Sequence, residues 1–397
     1  MKKSLTYLLS PALAALICWP IIPVHAVEWP FFMQALPVEG RVFDVVADDV
    51  NDSGHLDLVV TLRDQETALV VYQKKPRQFE AGPAAKVIGF HANRLSVLPE
   101  PPHRYLLSAE GEGLLKVLGP DAEGGLKEIS RYPQSPAFAA TAFRWPNWEL
   151  SLAVSPYAGA AMHLVRNFQV ETGEAEVAYS GGVENHTVPG EVTVADLDGD
   201  GVDDLLYTTR RTNTLWRISY PKGEENLAPV KVWTAPAGNP RHVAVADLNG
   251  NGALDIVVPL ERKMGVLLNN GKGEFSPGPE LPFPTQFWGP ANVAIHSERD
   301  GASLVIGRSE KSLVFVRVEK NATLRSEAVE LPLDAPSGQA LLLRDMDGDG
   351  DTDLVINTSS ASNSLRILYG PLWENLRKWK QQQEQMQSQA RSREETE

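Results

Sequence analysis

The stretch Val194-Ala-Asp196-Leu-Asp198-Gly-Asp200-Gly201-Val202-Asp-Asp204-Leu-Leu-Tyr207 decides the fold, because three relatives of it lie elsewhere in the chain. One runs from Val46 through Asp49, Asn51, Ser53, Gly54, His55 and Asp57 to Val60. A second runs from Val245 through Asp247, Asn249, Asn251, Gly252, Ala253 and Asp255 to Val258. The last runs from Arg344 through Asp345, Asp347, Asp349, Gly350, Asp351 and Asp353 to Ile356. Their first aspartates stand at 49, 196, 247 and 345, so successive copies are 147, 51 and 98 residues apart, close to three, one and two multiples of about 49. A fixed period of this length marks a repeat architecture. It predicts three fainter copies near positions 98, 147 and 296. Strand-like apolar runs stand there: Arg94 to Leu98, Glu149 to Val154, and Val293 to His296 with its resumption at Ser303 to Ile306.

Inside one unit the pattern is short apolar runs separated by turn residues, with no sustained helical period. In residues 241–283, Val243-Ala-Val245 enters the acidic loop and Ile256-Val-Val258 leaves it. Gly265-Val-Leu-Leu268 follows a charged turn, and Asn269 to Phe275 makes a hairpin into a fourth strand. Four antiparallel strands in such a unit make one propeller blade. Seven units fit between Val27 and about Trp373, which predicts an all-β, seven-bladed β-propeller. Only two strands follow the last acidic loop, and Phe31 to Pro37 resembles the fourth strand Phe275 to Pro282. The N-terminal strand is therefore expected to complete the last blade, which removes an exposed edge.

The acidic loops place oxygen-bearing side chains at positions 1, 3, 5 and 9, glycine at 6, and a backbone carbonyl at 7 (His55, Val202, Ala253 and Asp351). Alternate spacing turns the side chains toward one point, and only a hard cation matches so many hard oxygens. Calcium is the expected ion, in a structural role. The helix-loop-helix calcium hand needs a glutamate at position 12, where this chain has Val60, Tyr207, Val258 or Ile356. By carboxylate count, the loops at Asp196 and Asp345 are expected to bind more strongly than those at Asp49 and Asp247.

These residues, together with Gly265-Val-Leu-Leu-Asn-Asn-Gly-Lys-Gly-Glu-Phe275, resemble the FG-GAP or VCBS repeat family, whose calcium-loop repeats build seven-bladed propellers such as the integrin α-subunit head. The resemblance implies calcium at positions 1, 3, 5, 7 and 9 of the matching loops, and an extracellular or surface binding role. It implies no particular ligand.

Of the 397 residues, 51 are acidic and 37 basic, a formal charge of −14 that argues against general nucleic-acid binding. The single cysteine, Cys18, excludes an intramolecular disulfide and a cysteine-rich zinc site. Residues 1–26 read as a signal peptide: Lys2 and Lys3, then an apolar run, then Val24-His25-Ala26 at the cleavage position. No later segment is apolar enough to span a membrane. The expected domains are the signal at 1–26, the propeller at 27–373 and a polar tail at 374–397, helical or disordered. The product is expected to be exported, to the periplasm or outside the cell.

If calcium loops join first to second strands, the opposite face carries the other turns. Arg63, Arg210, Arg211, Arg262 and Arg308 fall on those turns, and Arg241, His242 and Trp288 on links between blades. Such a basic, aromatic-bearing face suits a protein or an acidic glycan, because guanidinium matches carboxylate and sulfate. The alternative is a polysaccharide lyase or hydrolase on the same face. His186, His242 and His296 recur at near-repeat spacing, which could aim them at a central channel, but no zinc-type histidine cluster, nucleophile elbow or phosphate loop accompanies them.

Overall fold

A computed structural model describes residues 30–394 except 87–91, 134–136, 157–161, 182–188, 210–211, 222–226, 237–239, 241, 284–291 and 361. The expected leader, and with it residues 1–29, falls outside this set. Among the described residues, seven antiparallel sheets follow one another around a ring.

Blade 1 comprises Val42–Asp48, Asp57–Leu62, Thr67–Lys75 and Gln78–Ala81. Blade 2 comprises Ala92–Val97, Tyr105–Ala109, Leu114–Pro120 and Leu126–Pro133, and blade 3 Ala137–Phe143, Ser151–Pro156, Met162–Arg166 and Glu176–Gly181. Blade 4 is Pro189–Ala195, Asp204–Thr209, Thr214–Ile218 and Val230–Thr234. In blade 5, Ala244–Ala246, Asp255–Pro259 and Lys263–Asn269 are followed by an outer strand in two pieces, Phe275–Pro277 and Leu281–Pro282. Blade 6 is Val293–Ser297, Ser303–Arg308, Ser312–Val318 and Ser326–Pro332. The three faint repeats, blades 2, 3 and 6, thus keep all four strands.

Blade 7 contains Ser337–Arg344, Asp353–Thr358 and Leu365–Leu368, and its fourth strand is Met33–Ala35 from the start of the chain. Met33 pairs with Leu368 and Ala35 with Arg366, so the ring closes as the sequence predicts.

Burial follows from this stacking. The second strand of every blade is buried along its whole length, whereas outer strands such as Leu126–Pro133 alternate between buried and exposed. A strand covered on both faces by neighbouring sheets needs a continuous apolar run, and a strand at the rim needs only one apolar face. The core is divided accordingly: seven clusters among the described residues, each between two consecutive blades. Leu58 and Val60 of blade 1 meet Val355 and Ile367 of blade 7 at the closing seam. Each such fully buried side chain is worth roughly 1.5–3 kcal/mol.

The tail forms a helix, Leu372–Glu394. Its first turns bury Leu372, Trp373 and Leu376 against blades 6 and 7, and the remainder is polar and largely exposed. No helix among the described residues is long and apolar enough to cross a membrane.

Candidate metal centres and the opposite face

All four acidic loops join the first to the second strand of a blade, in blades 1, 4, 5 and 7, and therefore lie on one face of the ring. Each folds around its first aspartate. Asp196 accepts the N–H groups of Gly199 (2.8 Å), Asp200 (3.2 Å) and Gly201 (2.9 Å). Asp247 does the same for Gly250, Asn251 and Gly252, Asp49 for Ser53 and Gly54, and Asp345 for Gly348 and Gly350. The position-6 glycine makes the turn possible: Gly201 has φ 82° and Gly54 φ 83°, the left-handed region that side chains resist. At position 5, Asp200, Asn251 and Asp349 each accept the N–H of position 7 at 2.8, 2.9 and 2.8 Å, and Ser53 Oγ accepts that of His55 at 3.3 Å.

The ninth position is a buried brace. Asp57, Asp255 and Asp353 each accept the N–H of position 2 (Val50, Leu248, Met346) on one oxygen, and on the other an N–H at the end of the third strand or just beyond (Gln73, Asn269, Gly370). Asp204 accepts from Leu197 and lies 3.9 Å from Arg217. Burial pushes the carboxyl of Asp57 up to about 6 and that of Asp353 up to about 7, against the pull of these N–H donors. Asp204 and Asp255 are raised by the same cause.

Two sets of three carboxylates gather closely, each offering an oxygen within 4.8 Å of the others: Asp196, Asp198 and Asp200, and Asp345, Asp347 and Asp353. They fall in the two loops with the most carboxylates. Asp204 stands outside the first set and Asp349 outside the second. The donor chemistry fits a hard cation in both loops, with the carbonyls of Val202 and Asp351 in reach by position. Basic groups of neighbouring blades already lean on some loops: Arg77 on Asp347 (2.6 Å), Arg299 on Asp351 (2.9 Å) and Lys320 on Asp247 (2.9 Å).

Two further residues bind the loops into the ring, and sequence reasoning passed over both. Asn269 of blade 5 donates to the Leu197 carbonyl of the blade 4 loop at 2.7 Å. Gln73 of blade 1 donates to the Met346 carbonyl of the blade 7 loop at 2.6 Å. The available signal was an amide at the end of an apolar third strand.

On the opposite face, Arg63 and Arg41 border a pocket of about 200 Å³ with Phe43 and Asn357. Arg63 lies 4.9 Å from the Phe43 ring centroid, and Arg41 pairs with Asp64 at 2.9 Å. Arg308 also borders this pocket but is only 2% exposed, its guanidinium donating to the carbonyls of Ser337 and Gly338. It therefore supports the wall beneath the surface. Arg262 is exposed on its turn. Arg210, Arg211, Arg241, His186 and Trp288 lie outside the described residues. His242 lines the central channel, whereas His296 sits at the far end of its strand, on the acidic-loop face beside Glu298 and Asp351. Asn292 occupies the channel position in that blade, so the histidine is four residues out of register.

A ring of four-stranded blades with acidic corner loops defines the class as a seven-bladed β-propeller built from acidic-loop repeats. Residues 192–258, which hold the acidic loops of blades 4 and 5, match the FG-GAP-like repeat family. No curated protein matches this sequence. Solved structures share the fold at low identity. Sqt1 of Saccharomyces cerevisiae is 10% identical with a TM-score of 0.55, covering 83% of each chain. A putative 6-phosphogluconolactonase of Bacteroides uniformis is 11% identical with a TM-score of 0.53, covering 73% of this chain and 85% of its own. The periplasmic gluconolactonase PpgL of Pseudomonas aeruginosa is 14% identical with a TM-score of 0.50, covering 83% of this chain and all of its own. Likeness at these identities concerns the fold alone.

Proposed function

We propose that this protein is an exported, calcium-stabilised binding module that presents a protein or acidic-glycan site on the face opposite its acidic loops. The observation that carries the calcium reading is the gathering of Asp196, Asp198 and Asp200, and of Asp345, Asp347 and Asp353, at the two most acidic corners. When bound, calcium supplies positive charge to carboxylates that otherwise repel one another. The protein's own residues do the rest. The first aspartate of each loop shapes the turn, the ninth ties it to the third strand, and Asn269 and Gln73 tie successive blades together.

A binding role is favoured over lyase or hydrolase chemistry by the composition of the pocket on the opposite face. Among the described residues it is bordered by Arg41, Arg63, hydroxyls and amides, and by no carboxylate or histidine to move a proton. Arginine there suits the carboxylate or sulfate of an acidic ligand.

Thermal or denaturant melting with calcium and with a chelator tests the first half. With free calcium a thousandfold above its Kd, chelation is expected to remove about 4 kcal/mol. An unchanged midpoint rules the metal role out. Titration with a polyuronate tests the second half: Arg63→Ala is expected to weaken binding, and equal binding by the variant removes the face from consideration.

A further inference from the structure

At the hub, the inner strands and the residues just before them turn polar side chains toward the axis. Asp44, Arg94, Glu191, His242, Asn292 and Gln339 come from blades 1, 2, 4, 5, 6 and 7 and line a cavity of about 200 Å³. Blade 3 contributes Ala139, Ala140 and Thr141, whose hydroxyl is turned to the Val192 carbonyl. In blades 1, 2, 4 and 7 the pairing of first and second strands slips register beside the channel residue. Bulges of this kind re-aim a side chain and cluster near binding sites.

Asp44, Arg94 and Glu191 pair with one another. Arg94, 8% exposed, donates to Asp44 at 3.3 Å and to Glu191, so two acids share one cation. The other Asp44 oxygen accepts the Leu95 N–H at 2.9 Å. Partners are nonetheless missing around the cavity. Asn292, 6% exposed, donates its Nδ2 to the Gln339 carbonyl at 2.9 Å, which fixes the orientation of its amide and leaves Oδ1 without a donor. Gln339 Oε1 and Arg94 Nε are also buried without a partner. Buried polar atoms are nearly always paired, so three unpaired ones around one cavity indicate a bound species.

The mixture selects its chemistry. A cation would meet the two amide oxygens but would face Arg94 and leave its Nε–H unmet. An anion would face Asp44, Glu191 and the amide oxygens. A neutral molecule carrying hydroxyls offers donors and acceptors together. The cavity is smaller than the roughly 300–1,000 Å³ of drug-sized sites, which suits one sugar ring or less.

We propose that the hub cavity binds a neutral polyhydroxylated molecule of about that size, its hydroxyls donating to Asn292 Oδ1 and Gln339 Oε1 and accepting from Arg94 Nε. Gln339 also borders the pocket of Arg41 and Arg63, so the ligand reaches the hub from the face opposite the acidic loops. The site is separate from calcium binding and from recognition of an acidic ligand.

Calorimetric titration of the purified, calcium-loaded protein with D-glucose and myo-inositol as neutral probes, D-gluconate as an anion and D-glucosamine as a cation tests it. At least one neutral probe is expected to bind with one-to-one stoichiometry at millimolar concentration. Gln339→Leu is expected to weaken it about tenfold by removing one acceptor. Gln339→Asn, which withdraws the oxygen by one methylene, gives the same reading should the leucine variant fail to fold. Both variants should keep calcium-dependent melting. No saturable binding by a neutral probe leaves the cavity to water and overturns the proposal. So does binding of gluconate or glucosamine alone, or neutral binding that the variants leave unchanged. Loss of polyuronate binding in Arg63→Ala with polyol binding intact shows the two sites to be distinct.

Discussion

The corner between first and second strands is built in two ways in this molecule. In blades 1, 4, 5 and 7 it is an acidic loop wrapped around its own first aspartate, with a buried carboxylate at the ninth position. In blades 2, 3 and 6 the same corner is closed without that constellation. Blade 3 uses aromatic packing: Trp145, 3% exposed, lies with its ring centroid 4.9 Å from that of Phe143 and 5.1 Å from that of Trp148, and donates its Nε1–H to the Asp203 carbonyl of the neighbouring loop at 2.6 Å. Blade 6 closes a shorter corner with the Glu298–Ala302 backbone bond and with Asp300, which accepts the Ala302 N–H and pairs with Arg317. Blade 2 closes its corner through the Leu98–Arg104 backbone bond and sends His103 back to Asp48 and Asp52 at 2.9 and 3.3 Å. The fold demands a closed corner and is indifferent to the means, so metal dependence should be local to four blades.

The largest effect expected at these corners is that of Trp145→Ala. Truncating a buried tryptophan should cost about 3–5 kcal/mol. Because aromatic packing holds that corner, the loss should persist in chelator. A loss seen only with calcium present would show that blade 3 borrows its order from the neighbouring loop.

An intermediate effect concerns pH. In chelator, stability should fall as pH rises from about 4 to about 7. Between the ordinary carboxylate value of 3.8 and the folded values of about 6 for Asp57 and about 7 for Asp353, the folded state holds protons that the unfolded chain has released. The stabilisation is complete below the lower value and is lost as pH climbs through the upper one. Calcium should flatten the slope by compensating the ionised carboxylates. Denaturant midpoints measured across this range with and without calcium check it, and parallel curves would show that the ion does not meet these groups.

The smallest effect belongs to Lys320, whose ammonium lies 2.9 Å from Asp247 in the third loop. An exposed pair of this kind contributes under about 1 kcal/mol, so Lys320→Ala should cost only a few tenths without metal. It should also tighten calcium at that loop by removing a competing cation. Weaker calcium binding in the variant would show that the lysine shapes the loop instead of competing for it.

The propeller was legible because its repeat is written in the residues that make corners. Aspartate at 49, 196, 247 and 345 sets the period, and that period locates the silent corners at 98–104, 144–150 and 298–302 to within a few residues. Closure by the N-terminal strand was legible too, since blade 7 runs out of chain two strands after Asp353. The braces were less so: Asn269 and Gln73 are amides at the ends of apolar runs, and neither residue alone names its partner one blade away. Arg308 read as a surface cation because turns are ordinarily solvated, yet neighbouring strands bury it.

Local chemistry, then, sufficed for blade number and loop shape, because strand alternation, turn-forming glycines and aspartate spacing act within one repeat. The hub needed the tertiary structure. Asp44, Arg94, Glu191, His242, Asn292 and Gln339 are of six different kinds, one from every blade but the third, and share no spacing pattern that marks a site. Only ring closure sets Asp44 and Gln339, nearly 300 residues apart in the chain, around one cavity. Whether their polar atoms find partners is decided by packing across blades, which no single repeat contains.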